Sequence, residues 1–383
     1  MRIGIDVRYL SHGLVGGVHA YIAQLLPPLI ALANDHQFVL YADTKRPFEL
    51  MALPAHVMVR LLPWRSPLSS VGHDLGLWRQ MEQDRIDVAH FPANYGFGPK
   101  RARTVITLHD AINLLPWWEI VRGHPKQPRT IVMMTYLHLL TSRAVHQADL
   151  VLTVSAYAKQ EILRHSGLAP DRIVPAPHAP APDLQRIDDA AQIDAVRHRY
   201  CLPGSFVLAD ALKNPAVLVR AWRLLPPELR AGRQIVFFAR RPDPLPIVHE
   251  AVHAGEARLL VRPPRADLIA LYSMADAFVF PSWIEGFGIP LLEAMTCGAP
   301  IIASDRGAIP EVVGPAGLLA DAEDAAGFSR HLAAVLGDPA RAAALRKAGL
   351  ARAAQFSWER TAQCILDCYE RVAGGISRPA TRR

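Results

Sequence analysis

Short apolar runs of four to six residues alternate along this chain with helix-length segments, and few folds accept that pattern. In the first half the runs are Ile3–Val7, Gln37–Tyr41, Val57–Leu61, Val88–Phe91, Val105–Leu108 and Leu150–Val154. Helical patterns fall between them, at Val18–Ala33, Leu75–Gln83, Arg129–Gln147 and Ala156–His165. The alternation resumes at Phe206–Ala209, Gln234–Ala239, Ala257–Val261, Ala277–Phe280 and Pro300–Ala303. A run this short and this apolar suits a strand covered on both faces. Strands separated by helices form parallel sheets. The pattern predicts an α/β chain of two Rossmann-like, doubly wound domains.

The boundary is visible as a change of texture. Pro175, Pro177, Pro180 and Pro182 precede Asp188-Asp189 and a polar helix, and the apolar periodicity is lost until about Tyr200. This predicts a first domain over 1–180, a connection over 181–200 and a second domain over 201–355. A final helix over 356–372 opens on Ser357 as N-cap, and residues 373–383 form a tail. A length of 383 residues suits two domains, and 51% hydrophobic with 20% charged residues excludes a disordered chain. The cysteines Cys201, Cys297, Cys364 and Cys368 lack zinc-site spacing and read as reduced thiols of a cytosolic protein. The N-terminus MRIGIDVRYL begins as a strand rather than as a signal sequence. The weakly polar stretch Leu14–Ala33, broken by Gly16-Gly17, His19, Gln24 and Pro27-Pro28, reads as a buried helix and not as a membrane span.

The chemistry concentrates in Pro281–Pro300, PSWIEGFGIPLLEAMTCGAP. It follows the strand Ala277–Phe280, so its loop lies at a carboxyl edge, where open α/β sheets bind ligands. Gly286 and Gly288 let the backbone approach a ligand closely. Pro290 suits the first turn of a helix through Cys297, and Gly298 suits its C-terminal cap. That helix is apolar, with Leu291 and Met295 on its core side and Glu293 as the exception. A carboxylate there needs hydrogen-bond donors. Two carboxylates, Glu285 and Glu293, beside a helix start describe a ligand with both hydroxyls and phosphate. A competing reading makes Ser282 and Glu285 a capping box. It needs a helix through 283–286, which Gly286 and Gly288 oppose.

The segment resembles the signature of family-4 retaining glycosyltransferases, a Glu-x7-Glu pair set in P-S-x-x-E-G-F-G-x-P-x-x-E-A-M-x-x-G-x-P. The likeness covers most of the chain and is most specific between Ala270 and Asp321. It implies a GT-B fold, with a nucleotide-sugar donor in the cleft between two domains and a last helix, bearing Phe356-Ser357-Trp358-Glu359 and Tyr369, that returns to the first. By position Glu285 inherits the donor sugar's hydroxyls and Glu293 the nucleotide ribose. Gly286, Phe287, Gly288 and Ile289 belong to the same donor-binding turn. Gly16-Gly17, after the first strand, would present backbone amides to the diphosphate. His109, at the end of the strand Val105–Leu108, would lie beside the transferred sugar, with Asp110 orienting it or capping the next turn. Lys213 takes the diphosphate-gripping position. Here the chain departs from the family: FVLADALKNPAVLVRAW has no glycine in this turn and lacks the preceding arginine, and Ala239 stands where glycine is common. Arg240 or Arg241 is a candidate for the second phosphate-binding cation. Asp321 and Glu311 also match family positions, Glu311 being explained by its helix start alone.

These features predict a retaining, metal-independent and cofactor-free hexosyltransferase acting from a nucleotide-sugar on an acceptor hydroxyl. The leading donor is GDP-mannose, with UDP-hexoses open. The expected acceptor is a glycan or polyprenyl-linked glycan in polysaccharide or O-antigen assembly. Competing classes are a GT-B sugar-nucleotide epimerase or hydrolase, and a non-catalytic nucleotide-sugar-binding subunit. Net charge is +7. Residues 100–143 hold Lys100, Arg101, Arg103, Arg122, Lys126, Arg129 and Arg143 against Asp110 and Glu119, interleaved with Trp117, Trp118, Ile131, Met133, Met134 and Tyr136. This describes either a solvated basic face or a contact with anionic membrane. The second option places a cytoplasmic protein at the inner membrane face. No recognition motif for nucleic acid accompanies the charge.

Overall fold

The computed structural model describes residues 1–11, 17–46, 53–122, 127–202 and 204–374. Contacts divide the chain into two units, Met1–His178 together with the segment from Trp358, and Ala179–Ser357. Among the described residues the first unit carries a seven-stranded sheet in the order β3-β2-β1-β4-β5-β6-β7. Its strands are β1 (Arg2–Asp6), β2 (Gln37–Asp43), β3 (Val57–Leu62), β4 (Val88–Phe91), β5 (Arg103–Leu108), β6 (Leu150–Thr153) and β7 (Ile173–Pro175). The second carries six strands in the order β10-β9-β8-β11-β12-β13. These are β8 (Ser205–Asp210), β9 (Arg233–Ala239), β10 (Ala257–Val261), β11 (Ala277–Phe280), β12 (Ile301–Ser304) and β13 (Gly317–Ala320). Every pairing is parallel. The central strands β4, β6, β11 and β12 are buried along their whole length, as strands covered on both faces must be.

Both sheets reverse strand order once, between β1 and β4 in the first unit and between β8 and β11 in the second. Such a reversal splays the loops at the carboxyl ends apart and opens a crevice. In the second unit the crevice lies between the loop after β8, with Lys213 and Asn214, and the loop after β11, with Ser282–Gly288.

The helix Trp358–Ala373 belongs to the first unit, where it packs on the helix Gly17–Leu32. Its buried face is Trp358, Thr361, Ala362, Ile365, Leu366, Cys368, Tyr369 and Val372, a spacing that keeps one stripe inward. Tyr369 donates to or accepts from His90 of β4 at 2.6 Å. The proline-rich stretch after His178 is part of the second unit. Ile187 N donates to Ser273 Oγ (3.0 Å) and Arg186 Nη1 to the Cys297 carbonyl (3.3 Å). The helix Ala190–Arg199 continues there.

The structure departs from the sequence expectation in two kinds of place. The outer strands β7 and β13 were not anticipated, because Ile-Val-Pro and a half-buried Gly-Leu-Leu-Ala are too short or too open to show a strand pattern. The helix expected over Leu75–Gln83 begins at Pro67. Its first turns carry serines, Gly72 and the exposed Leu68 and Val71, so apolar periodicity starts only where Leu77 and Met81 become buried. All four cysteines are free thiols, two of them, Cys297 and Cys368, buried.

Because Ile365 is fully buried on the returning helix, Ile365→Ala should cost about 2–5 kcal/mol of stability. Urea unfolding measures it, and a loss within experimental error would mean this helix is not part of the first unit's core.

Candidate functional site

The loop Ser282–Gly288 is held by its neighbours and not by a helix of its own. No helical residue occurs between Pro281 and Gly288, which removes the capping-box reading of Ser282 and Glu285. The helix runs from Ile289 to Thr296, with Gly288 at its N-cap in a left-handed conformation (φ 101°) and Gly298 (φ 76°) beyond its end. Leu291 and Met295 are fully buried beneath it. Ser304 Oγ, at the end of β12, donates to the Ser282 carbonyl at 2.6 Å, and Ala308 N donates to the Glu285 carbonyl at 2.9 Å. Gly307 (φ 62°) lies so close that a Cβ there would stand 2.5 Å from the Glu285 carbonyl oxygen and 2.8 Å from its nitrogen.

On the other side of the crevice the glycine-free turn after β8 closes through Asn214. It adopts the left-handed conformation itself (φ 51°, ψ 53°), which asparagine tolerates better than most residues. Its buried amide donates to the Pro281 carbonyl (3.1 Å) and to the Ala322 carbonyl (2.8 Å). The turn is thereby fastened to the loop that bears Glu285. The departure from the family's glycine turn is met by an asparagine that supplies both the backbone angle and the clamp.

This brings the two signature carboxylates under basic control. Lys213 Nζ donates to Glu285 Oε1 at 2.6 Å, and Ser282 Oγ donates to the same oxygen at 2.8 Å. Arg265 Nη1 donates to Glu293 Oε1 at 3.2 Å. Among the described residues neither Oε2 is engaged. Burial pushes the Glu293 carboxyl above its ordinary range, opposed by Arg265 and then Arg240. Of the two arginines after β9, Arg240 is exposed but its charge also bears on Asp210 and Tyr272. Arg241 is exposed beside it. Phe287 is buried edge-on against Phe356, 6.0 Å between ring centres. Its side chain therefore belongs to the core. Ile289 is half-buried in the first helical turn. Asp321 pairs with Arg306 and accepts from Glu323 N. Glu311 lies in the first turn of Ile309–Val313, as its sequence position suggested.

Sequence reasoning missed Asp210, Arg265, Gly307 and Asn214's clamp. Asp210 ends β8 buried, accepts from Leu212 N at 2.8 Å, and is raised above the usual carboxylate range by burial. Its place at a strand's carboxyl end was the available signal.

In the first unit His109 follows β5. Its backbone N donates to Asn94 Oδ1 (2.9 Å), and its Nε2 lies 2.9 Å from the Pro92 carbonyl. A carbonyl only accepts, so Nε2 carries the proton and Nδ1 is the acceptor in the neutral ring. Burial lowers this imidazole's pKa despite the Pro92 carbonyl and Asp110, so it is neutral at neutral pH. Asp110 accepts from Ile112 N (2.9 Å) and so caps the following turn. His109 stands edge-on to Tyr21 at 4.9 Å and to His178 at 5.6 Å, and His178 stacks on Tyr21 at 4.9 Å. Trp358 of the returning helix lies 5.8 Å from both Tyr21 and His178. No sequence pattern assigns a role to His178; the structure puts it in the wall around His109. Gly17 begins the helix Gly17–Leu32 and is exposed. Gly16 lies outside the described residues.

Gly307→Ala should displace Glu285 while leaving the sheet intact. The expected result is a loss of activity of about tenfold or more, as for a displaced site residue, with a small change in Tm. Unchanged activity would show that Glu285 is not held by this contact.

Two family models match the chain, "Glycosyl transferases group 1" over residues 209–352 and "Glycosyltransferase Family 4" over residues 15–184. The chain is 33% identical over 296 residues to O-antigen chain mannosyltransferase B of Escherichia coli, covering 75% of each protein. It is 32% identical over 281 residues to the serotype-specific mannosyltransferase WbdA of Escherichia coli, covering 70% of this chain and 34% of that one. It thus spans three quarters of the first relative and about a third of the second. Among solved structures, sucrose-phosphate synthase from Thermosynechococcus elongatus matches with a TM-score of 0.71 at 20% identity, over 98% of this chain and 99% of that one. WaaG, a glycosyltransferase involved in lipopolysaccharide biosynthesis, matches with 0.68 at 14% identity, over 98% and 100%. With two doubly wound parallel sheets and both domain models matched, the chain belongs to the group 1 and family 4 glycosyltransferases and has the GT-B fold.

Proposed function

We propose that the protein is a retaining, metal-independent mannosyltransferase that uses GDP-mannose to extend a cell-surface polysaccharide such as O-antigen. The observation that carries the donor reading is the pair of half-held carboxylates. Glu285 and Glu293 are each fixed through Oε1 by protein donors and, among the described residues, keep Oε2 for hydroxyls. That is the chemistry of a sugar at Glu285 and of a ribose at Glu293. The sugar's identity rests on the Escherichia coli mannosyltransferases, to which this chain is about a third identical.

Lys213 and Arg240 are the cations for the diphosphate, joined by the backbone at Gly288 where the helix Ile289–Thr296 begins. A diphosphate carries more charge than Glu285 and competes with it for Lys213. Glu285 itself suits orientation better than nucleophilic attack, because an ammonium and a hydroxyl both draw charge from its carboxylate and its second oxygen is the one left for the sugar hydroxyls. The transfer is then a front-face displacement. The bond from the anomeric carbon to the phosphate oxygen breaks, and the acceptor oxygen bonds to that carbon on the same face. The acceptor's proton passes to the departing phosphate. His109, neutral and fixed through Nε2, is the first unit's group for the transferred sugar.

The acceptor is a glycan carried on a polyprenyl lipid, and the protein works at the cytoplasmic membrane face. This is supported by an exposed surface of the first unit. Trp117, Trp118, Val132, Met133 and Leu139 are exposed there beside Arg122, Arg129 and Arg143. Tyr136, in contrast, turns inward and donates to Asp74 at 2.7 Å, and Ile131 and Met134 are half-buried. Lys126 lies outside the described residues. No helix among the described residues is long and apolar enough to cross a membrane.

Glu285→Ala should abolish transfer with an unchanged circular dichroism spectrum, and an active variant would remove Glu285 from the mechanism. Lys213→Ala should lower kcat/KM by about 10²–10³-fold. A thermal-shift screen across GDP-, UDP-, ADP- and dTDP-sugars should select GDP-mannose. Charge reversal at Arg122, Lys126 and Arg129 should release the protein from anionic vesicles, and unchanged binding would rule that surface out.

A further inference from the structure

Glu293 faces charged and titratable groups from four directions. Arg265 comes from the first turn of the helix Arg265–Met274 and Arg240 from the end of β9. Asp183 comes from the proline-rich stretch, Tyr272 from the helix Arg265–Met274, and Cys297 from the end of Glu293's own helix. The side chain of Glu293 is only 15% exposed, whereas that of Arg265 is 46% exposed. Of these groups only Arg265 hydrogen-bonds the carboxylate among the described residues. Its fork is divided, Nη1 to Glu293 at 3.2 Å and Nε toward Asp183 Oδ2 at 3.6 Å. Pro263 and Pro264 directly precede it and restrict the backbone that carries it.

We propose that Arg265 is a positioning residue for donor binding: it holds and aims the Glu293 carboxylate, and Asp183 tunes this grip by competing for the same guanidinium. The proposal rests on the reading that Glu293 binds the donor's ribose. Physically, a carboxylate this buried resists ionisation, and an adjacent guanidinium offsets that cost. Burial already sets Glu293 above the ordinary carboxyl range, with Arg265 as the main opposing influence. Only the ionised form accepts from both ribose hydroxyls. Competence is therefore present above the Glu293 pKa and lost as the pH falls through it. Removing Arg265 raises that pKa, so the loss begins at a higher pH. Removing the Asp183 charge leaves Arg265 to Glu293 alone and moves the loss to a lower pH.

The test is a pH series on the full-length protein, with Arg265→Gln, Arg265→Lys, Asp183→Asn and Glu293→Gln beside the parent. Affinity is measured by calorimetry for whichever of GDP, UDP, ADP or dTDP gives the largest thermal shift, and kcat and KM for the matching sugar donor. Arg265→Gln should move the acid limb of kcat/KM up by about one pH unit, a roughly tenfold loss on the acid side. That loss should sit in KM, with kcat at saturating donor little changed. Arg265→Lys keeps the charge and should restore most of the limb. A merely structural role for Arg265 would lower Tm and activity equally at all pH values. A parental acid limb in Arg265→Gln, while Glu293→Gln loses nucleotide affinity, overturns the role of Arg265 alone. Parental nucleotide affinity in Glu293→Gln overturns the ribose reading and this proposal with it.

Discussion

The site of the second unit depends on a backbone contact between two loops, the approach of Gly307 to Glu285. Ala308 N binds the Glu285 carbonyl, and the space at Gly307 is too small for any side chain. A carboxylate on a loop has little intrinsic order, since it lacks the ladder of a helix or strand. Here the order is imported. Ser304 fixes one end of the loop, Gly307 and Ala308 fix Glu285, and Asn214 fixes the facing strand end. Each of these residues stands at or just after the carboxyl end of a parallel strand. The sheet's strand order thus decides which loops meet, and a few backbone hydrogen bonds set where they stop.

Electrostatics complete what the backbone begins. Asp210, Glu285 and Glu293 are wholly or largely buried, and unpaired buried carboxylates are costly. Lys213, Arg240 and Arg265 offset them. Each carboxylate remains a hydrogen-bond acceptor because each cation reaches it from one side. This arrangement suits a ligand that brings hydroxyls to the acids and phosphate to the bases. It also separates the roles of the two glutamates. Glu285 is held by a lysine, Glu293 by an arginine shared with Asp183.

In the first unit the corresponding device is packing. His109 hydrogen-bonds the main chain and leans on Tyr21 and His178, and Trp358 closes that cluster from the last helix. Three segments distant in sequence therefore surround one imidazole. The histidine was recognisable from its strand-end position; its surroundings were not, because Tyr21, His178 and Trp358 carry no common pattern. The exposed α-helical surface shows the opposite limit. Its basic and aromatic composition was plain in the sequence, but only the structure separates Trp117 and Trp118, which are exposed, from Tyr136, which is committed to Asp74.

The two parallel sheets, the glutamate pair and the helix between Pro290 and Gly298 are legible in the amino-acid sequence. These follow from local chemistry: apolar runs that need two covered faces, and glycine and proline at positions where backbone angles are special. Tertiary structure alone decided that Asn214 replaces a glycine turn, that Phe287 packs inward, and that Arg265 rather than a nearer residue holds Glu293. It also decided that Gly307 sets the position of Glu285. These are contacts between residues 22 to 108 positions apart. No periodicity or motif encodes them, because their partners are chosen by which strands lie side by side and how closely the loops beyond them approach.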